Sequence, residues 1–297
     1  MQLGVNVPNF GPATSVDLLE RWAHAAEGLG FDLLMMSDHV LVTEDVAKTY
    51  PGPFHDPFTT LAWLAGRTSR IRLGTTVLIM PYRQPALTAQ MAASLHRLSG
   101  GRFVLGVGVG WARKEFGALG IPFNRRGALT DEYLDEMHQI WGGGVEGVSP
   151  ALAPDELPGP PVWIGGNSDA AIRRAVVSGQ GWHPLGFTTD WFEDAVPRLK
   201  AFADEAGRAV PTVAPRIKLR LTQEPVTDPD REAGIGTLEQ VLDDLDRLRS
   251  HGSEITVLDT YHGDPAELER PEEAFRQLAI VAEAWERLYA WPAGQKG

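Results

Sequence analysis

The chain has 297 residues, of which 43% are hydrophobic and 22% are charged, and its formal net charge at pH 7 is −12. These values are typical of a globular protein with a sizeable core, and the negative charge argues against a nucleic-acid binder or an anionic-membrane binder. The chain contains no cysteine, which excludes disulfides, thiolate metal sites and cysteine nucleophiles. Its first residues lack the pattern of a signal peptide and no apolar run is long enough to span a membrane, so we expect a soluble, cytoplasmic protein.

Short apolar runs alternate with amphipathic helical stretches along the chain, which predicts βα units and a parallel sheet. The predicted strands are Gln2–Pro8, Leu33–Ser37, Ile71–Ile79, Phe103–Val107, Val162–Gly165, Gly181–Leu185, Val213–Leu221 and Ile255–Leu258. Eight such units close a barrel, so we predict an α/β fold, a (β/α)8 TIM barrel that forms one domain over residues 1–297. A doubly wound sheet is the alternative, and the lack of a second-domain signal disfavours it.

Two segments interrupt this alternation. Residues 39–57 follow the second predicted strand and would lie on the substrate side of a barrel, where long loops are commonly lids or walls of a binding site. Residues 142–161 contain five Gly and five Pro but no Lys or Arg, which predicts a connecting loop without a core of its own.

The end of the fourth predicted strand carries alternating glycines, Gly106, Gly108 and Gly110, followed by Trp111. Glycine lets the backbone approach a flat or charged ligand closely, and Gly-x-Gly can offer amide donors. The pattern lacks the context of a dinucleotide fingerprint, and a tight turn between strand and helix explains it equally well.

The end of the fifth predicted strand reads Gly165-Gly166-Asn167-Ser168 and leads into a helix. Free amides at such a helix start favour a phosphate or another anion. Simple helix capping by Asn167 or Ser168 is the alternative, and the two preceding glycines favour the anion site.

The second predicted strand ends in Asp38-His39, which places a titratable pair at the catalytic end of a barrel. A histidine in a loop is more often plain polar surface. A metal site made from other strand-end residues (His183, Asp259, His262) is not predicted, because the first strand lacks the His-x-His of metal-dependent barrel hydrolases.

Seven short motifs in the first 185 residues together resemble the luciferase-like monooxygenase superfamily, and within it the branch that uses the deazaflavin coenzyme F420. They are Gly28-Leu29-Gly30-Phe31-Asp32, Ser37-Asp38-His39, Arg72-Leu73-Gly74-Thr75, Pro81-Tyr82-Arg83-Gln84-Pro85, Leu98-Ser99-Gly100-Gly101-Arg102-Phe103, Leu105-Gly106-Val107-Gly108-Val109-Gly110-Trp111 and Trp163-Ile164-Gly165-Gly166-Asn167-Ser168.

The resemblance implies a barrel with the cofactor ring across its mouth, the cofactor phosphate at the fifth strand, and a homodimer. It implies that Thr76-Val77 forms a non-proline cis peptide that supports the ring, and that His39 is the catalytic residue. The predicted cofactor-binding residues are Asp38, His39, Thr76, Val77, Gly106, Gly108, Gly110, Trp111, Gly165, Gly166, Asn167, Ser168 and Trp182. We expect Trp111, Phe10 and the 39–57 loop to form apolar walls of the site.

Three positions depart from the family pattern. Trp111 stands where the sugar-phosphate dehydrogenases of the branch have a glutamate, so that reaction is not expected; Gln180 and His96 replace aspartates, and His96 is expected to be structural. The leading hypothesis is an oxidoreductase that moves a hydride between F420 and a small organic substrate. An FMN-dependent monooxygenase and a cofactor-binding protein without turnover remain as alternatives.

Overall fold

The computed structural model describes residues 1–144 and 159–289. Its strands are β1 Gln2–Asn6, β2 Leu33–Met36, β3 Arg72–Thr75, β4 Leu78–Ile79, β5 Phe103–Gly108, β6 Val162–Gly165, β7 Gly181–His183, β8 Thr212–Val213, β9 Arg216–Lys218, β10 Arg220–Leu221, β11 Ile235–Gly236 and β12 Ile255–Asp259. Its α-helices are α1 Val16–Gly28, α2 Glu44–Ala47, α3 Pro57–Ala65, α4 Pro85–Leu98, α5 Arg113–Ala118, α6 Arg126–Trp141, α7 Asp169–Ser178, α8 Thr189–Ala206, α9 Leu238–Ser250 and α10 Pro271–Tyr289. Short 3-10 helices cover Met80–Tyr82, Phe123–Arg125 and Pro265–Glu267.

The main sheet is parallel and runs in the order β8-β7-β6-β5-β3-β2-β1-β12-β9, with β4 also paired to β5. Its two ends belong to one segment, residues 212–218, which pairs with β7 through β8 and with β12 through β9. Because the same segment is hydrogen-bonded on both sides, the sheet closes on itself. The predicted barrel is therefore confirmed, and each of the eight predicted strands contributes to it.

Two predicted strands are interrupted. The third, Ile71–Ile79, splits into β3 and β4 around a cis peptide bond between Thr76 and Val77, as the resemblance implies. The seventh, Val213–Leu221, splits at Ala214-Pro215, where proline lacks the N–H that a ladder requires, and its last part, β10, pairs with β11 instead.

The consecutive apolar residues of the strands serve two separate cores. Leu33 and Met35 of β2 point into the barrel and join an inner cluster with Trp163, whereas Leu34 and Met36 pack outward against the helices. Successive strand side chains point to opposite faces, so a strand that is covered on both sides needs apolar residues at every position.

Most of the predicted connecting loop at 142–161 lies outside the described residues, between α6 and β6. Within residues 1–144 and 159–289, no helix has the length and apolar character needed to cross a membrane.

Candidate active site

The barrel brings most of the predicted site residues to one end of the sheet. The strands β2, β3, β5, β6 and β7 are neighbours in that order, so the residues that follow them meet at their carboxyl ends. This is the end at which barrel enzymes hold their active sites.

His39 lies beside a buried carboxylate that the sequence analysis did not single out. Its Nδ1 is 2.6 Å from Oε2 of Glu115, and the two side chains are 3% and 0% exposed. The other carboxylate oxygen of Glu115 accepts hydrogen bonds from the backbone N–H groups of Val40 and Leu41, at 2.7 and 3.0 Å. Burial opposes ionisation of Glu115, but the hydrogen bonds from His39 and the two amides outweigh it, so its pKa is lowered.

Aromatic rings surround the His39 imidazole. The ring centroids of Tyr50 and Phe54 lie 5.4 Å from it and that of Trp111 lies 5.6 Å away. Trp111 is 49% exposed, and its contact with a ligand stays a prediction. Phe10 is fully buried and stacks on Phe54, so it supports the 39–57 loop and does not line the site, contrary to the expectation.

The Asp38 carboxylate is occupied within the protein. It forms a bidentate ion pair with Arg83, at 2.6 and 2.8 Å, and accepts a hydrogen bond from the backbone N–H of Ile79 at 2.9 Å. Arg83 also binds Asp56, the N-cap of α3. Asp38 thus fixes the loop that follows β4, and direct contact with a cofactor stays a prediction.

Arg216 and His183 both contact Thr76 of the Thr76-Val77 peptide. The Thr76 carbonyl accepts a hydrogen bond from Arg216 at 2.9 Å, and the Thr76 hydroxyl lies 2.8 Å from Nε2 of His183. Burial lowers the pKa of His183 to about 4, so this imidazole is neutral. Its Nδ1 donates to the Ala214 carbonyl, which leaves Nε2 to accept from Thr76.

The glycines at the strand ends make room for neighbouring residues. A side chain at Gly108 or Gly165 would begin 2.5 or 2.6 Å from a methyl carbon of Val77, and one at Gly106 only 2.0 Å from the Thr75 carbonyl oxygen. Close packing between strands therefore explains these glycines, as it does Gly110, whose Cβ would lie 2.7 Å from Ile79. Cofactor contact at these positions stays a prediction.

A buried ion cluster that sequence analysis missed lies beside Thr76. Asp259 accepts hydrogen bonds from Arg216 at 2.6 Å, Lys218 at 2.8 Å and the side-chain amide of Asn6 at 3.1 Å. Burial opposes the charge of Asp259, but the two cations outweigh it and its pKa is lowered. In the described part of the chain, no group of three or more His, Asp or Glu side chains is placed to hold a metal ion.

The start of α7 confirms the predicted capping, and anion binding there stays a prediction. Ser168 is the N-cap, and its hydroxyl accepts the N–H of Ala171, while the Asn167 amide binds the backbone of Leu185 on both sides. The first backbone N–H groups of α7 have no acceptor within the helix, and they carry its positive dipole end. Gly166 precedes them with φ +121°, a conformation that favours glycine.

Other nearby residues act within the protein. Trp182 is buried and its indole N–H donates to the Gly166 carbonyl at 3.0 Å, so it can affect a ligand only through Gly166. His96 binds the Phe103 carbonyl from α4, as expected of a structural residue, and Gln180 accepts the N–H of Val162. A cavity of about 650 Å³ lies at the opposite end of the barrel, lined by residues that precede the strands, such as Pro161 and Glu254.

Known proteins with similar sequences include F420-dependent glucose-6-phosphate dehydrogenase of Nocardia farcinica. It is 31% identical over 253 residues, which cover 77% of this chain and 70% of that protein. Known structures share the fold at low identity. A monooxygenase from Streptomyces bottropensis has a TM-score of 0.78 at 22% identity, covering 97% of this chain and 100% of that one.

Two further structures carry cofactors. The oxygenating constituent of 3,6-diketocamphane monooxygenase from Pseudomonas putida, in complex with FMN, has a TM-score of 0.74 at 17% identity and covers 95% of this chain and 97% of that one. An F420-dependent secondary alcohol dehydrogenase with an F420-acetone adduct has a TM-score of 0.73 at 18% identity and covers 94% and 97%. The sequence profile of luciferase-like monooxygenases matches residues 1–289. The chain belongs to the luciferase-like monooxygenase family.

Proposed function

We propose that this protein is an oxidoreductase that transfers a hydride between coenzyme F420 and a small organic substrate. The observation that carries the proposal is the position of His39, an imidazole held by a buried carboxylate beyond the carboxyl end of β2. Because β2 pairs with β3, His39 follows the strand next to the one that leads into the predicted ring support at Thr76 and Val77. Such an imidazole can give or take the proton that accompanies hydride transfer.

The residues at the strand ends fit a cofactor of this kind. The first-turn amides of α7 are donors without an acceptor inside the helix, which suits the phosphate of F420 or FMN. Val77, packed against Gly108 and Gly165, offers an apolar floor for a flat ring. When bound, a deazaflavin supplies two-electron hydride chemistry, and the protein positions the reactants and controls the proton.

The entrance to the site favours a substrate of low polarity. The side chains of Val40, Leu41 and Val42, which follow His39, are exposed. The backbone N–H groups of Val40 and Leu41 donate to the buried Glu115 carboxylate, which fixes this segment. Trp111, whose ring lies 5.6 Å from that of His39, is a further exposed apolar side chain near the site. Trp111 also stands where the sugar-phosphate dehydrogenases carry a glutamate, so we propose neutral alcohols or ketones as substrates.

F420 is favoured over FMN by sequence. The Nocardia relative, which is named as F420-dependent, is 31% identical. The F420 and FMN complexes of similar fold do not separate the two cofactors, because they are 18% and 17% identical. An FMN-dependent monooxygenase is the second candidate, supported by the two monooxygenases that share the fold.

The cofactor is tested by titrating the purified protein with F420 and, separately, with FMN, following the fluorescence of each. We expect tighter binding of F420; tighter binding of FMN would favour the monooxygenase. Turnover is then measured with F420 and a panel of secondary alcohols, or with reduced F420 and the matching ketones. Binding of F420 without turnover on any of them would favour a protein that binds the cofactor only.

The phosphate position is tested with Gly166→Val. A branched side chain at φ +121° would begin 3.1 Å from the Ala171 methyl and obstruct the start of α7. We expect F420 affinity to fall at least 10-fold, or about 1.4 kcal/mol. Gly207→Val is the matched control, because Gly207 also has positive φ (62°) but ends α8 in open space. Equal affinity of both variants would place the phosphate elsewhere.

A further inference from the structure

Glu115 is a fully buried carboxylate in the first turn of α5 with four hydrogen-bond donors around it. Its Oε1 accepts the N–H groups of Val40 and Leu41, and its Oε2 accepts from His39 Nδ1 at 2.6 Å and from the Tyr82 hydroxyl at 3.0 Å. Removing a carboxylate from water is unfavourable unless such partners compensate it. The arrangement therefore maintains a negative charge at this point.

The lowered pKa of Glu115 means that it is ionised and can only accept hydrogen bonds. Tyr82 keeps its proton, since burial and the neighbouring Glu115 both raise its pKa. The proton between His39 and Glu115 must then reside on Nδ1 of the imidazole. The backbone bonds to Val40 and Leu41 also fix the carboxylate, so it cannot turn away from the ring.

The other ring nitrogen of His39 is left free for chemistry. Nε2 makes no hydrogen bond to a described residue. It also differs from Nε2 of His55, His138 and His262, which are fully buried and have no such partner. The His39 side chain is 3% exposed, and the rings of Tyr50, Phe54 and Trp111 lie within 5.4 to 5.6 Å of its imidazole.

We infer that Glu115 is a positioning residue that holds the Nδ1 proton of His39 and thereby presents Nε2 as the proton acceptor and donor of the reaction. This inference rests on the proposed function. In alcohol oxidation, the C–H bond breaks and its electron pair leaves with the hydrogen for F420, while the O–H proton passes to Nε2. Ketone reduction is the reverse. The imidazolium formed in oxidation is stabilised by the adjacent carboxylate.

The test is the protonation of the two ring nitrogens, measured by ¹⁵N NMR of histidine-labelled, cofactor-free protein at pH 8.5. The His39 signals are assigned by their loss in His39→Ala. We expect Nδ1 to carry a proton in the wild-type protein. In Glu115→Gln the amide oxygen keeps the bonds to Val40 and Leu41, so its NH₂ faces His39 and the proton moves to Nε2.

Tyr82→Phe is the matched control, because it removes the other hydrogen bond at the same carboxylate oxygen and leaves the charge. Its Nδ1 should stay protonated. A bare Nδ1 in the wild-type protein would overturn the inference even if Glu115→Gln failed to fold, and so would an unchanged proton position in a folded Glu115→Gln variant.

Kinetics give a second readout. Glu115→Gln should lower kcat about 10-fold to 100-fold while the KM for F420 changes less than 3-fold, since the residue acts on the proton and not on cofactor binding. Equal changes in both would indicate a structural role and contradict the inference. Because the NMR experiment needs no cofactor, failure of F420 to bind would refute the proposed function without affecting the NMR result.

Discussion

The two ends of the barrel both hold charged side chains that are at least partly buried, but they pair these charges differently. At the amino end, Arg102 donates to the backbone carbonyls of Ala65, Thr68, Ile71 and Ser99, and Asp32 accepts the N–H of Leu3. These bonds tie successive loops to the sheet. The charged side chains at this end therefore have a structural role.

At the carboxyl end, the charges are paired mainly with other side chains. His39 binds Glu115, and Asp259 binds both Arg216 and Lys218. Apolar residues of the same volume would stabilise a fold at least as well as buried ion pairs. Under the proposed function the carboxyl-end charges serve chemistry and the amino-end charges serve the fold, and four predictions test this difference.

The largest expected effect is on catalysis at the carboxyl end. His39→Ala removes the proposed proton donor and acceptor, so kcat with F420 and the best substrate of the panel should fall about 100-fold to 10,000-fold. The free energy of unfolding should change far less. Unchanged kinetics would show that His39 takes no part in the reaction, and the proposed difference between the two ends would then be wrong.

Asp259→Ala should have the largest effect on stability. It leaves the buried Arg216 and the half-buried Lys218 without their counter-ion, which costs about 3–5 kcal/mol of unfolding free energy, measured in urea. Glu272→Ala is the control, because it breaks an exposed pair with Arg21 and should cost less than about 1 kcal/mol. Similar losses in both variants would show that the Asp259 cluster is as dispensable as a surface pair.

The two ends should also respond to pH in opposite directions. Burial lowers the pKa of His183 from 6.5 to about 4, so acid protonates the unfolded chain first. Its contribution to stability is complete above pH 6.5 and is lost as the pH falls toward 4, by about 3 kcal/mol. Burial raises the pKa of Asp32 from 3.8 to about 6, so its contribution is complete below pH 3.8 and is lost as the pH rises through 6.

Urea unfolding of the wild-type protein, His183→Gln and Asp32→Asn between pH 4 and 7 measures both effects. On acidification, the wild-type protein should lose stability relative to His183→Gln and gain stability relative to Asp32→Asn. Parallel pH profiles for all three proteins would contradict the assigned charge states.

The smallest effect concerns the amino end. Arg102→Ala leaves several backbone carbonyls without a donor and should cost about 2 kcal/mol of unfolding free energy. F420 affinity and kcat should remain within 2-fold of wild type, since the residue lies at the opposite end from the site. A large loss of kcat in the folded variant would show that the two ends are coupled.

Much of the fold was predictable because it depends on local pattern. The apolar runs of β2 and β12 and the helices between strands follow from side-chain periodicity, and each of the eight predicted strands was found in the barrel. The helix start at Ser168 and the interruption at Thr76-Val77 were also predicted, the latter by resemblance. Short elements such as α2, α5 and β11 were missed, because a segment of six residues or fewer shows no clear hydrophobic periodicity.

The sequence by itself determined the fold class and the family, and it predicted the strand ends at which ligands would bind. Only the tertiary structure decided which side chains meet there. His39 and Glu115 lie 76 residues apart, and Arg216 reaches Thr76 across 140 residues. Barrel closure brings such residues together, and no local pattern encodes the distance between them. Likewise, the glycines at 106 and 108 were visible in the sequence, but their packing against Thr75 and Val77 followed only from the strand register.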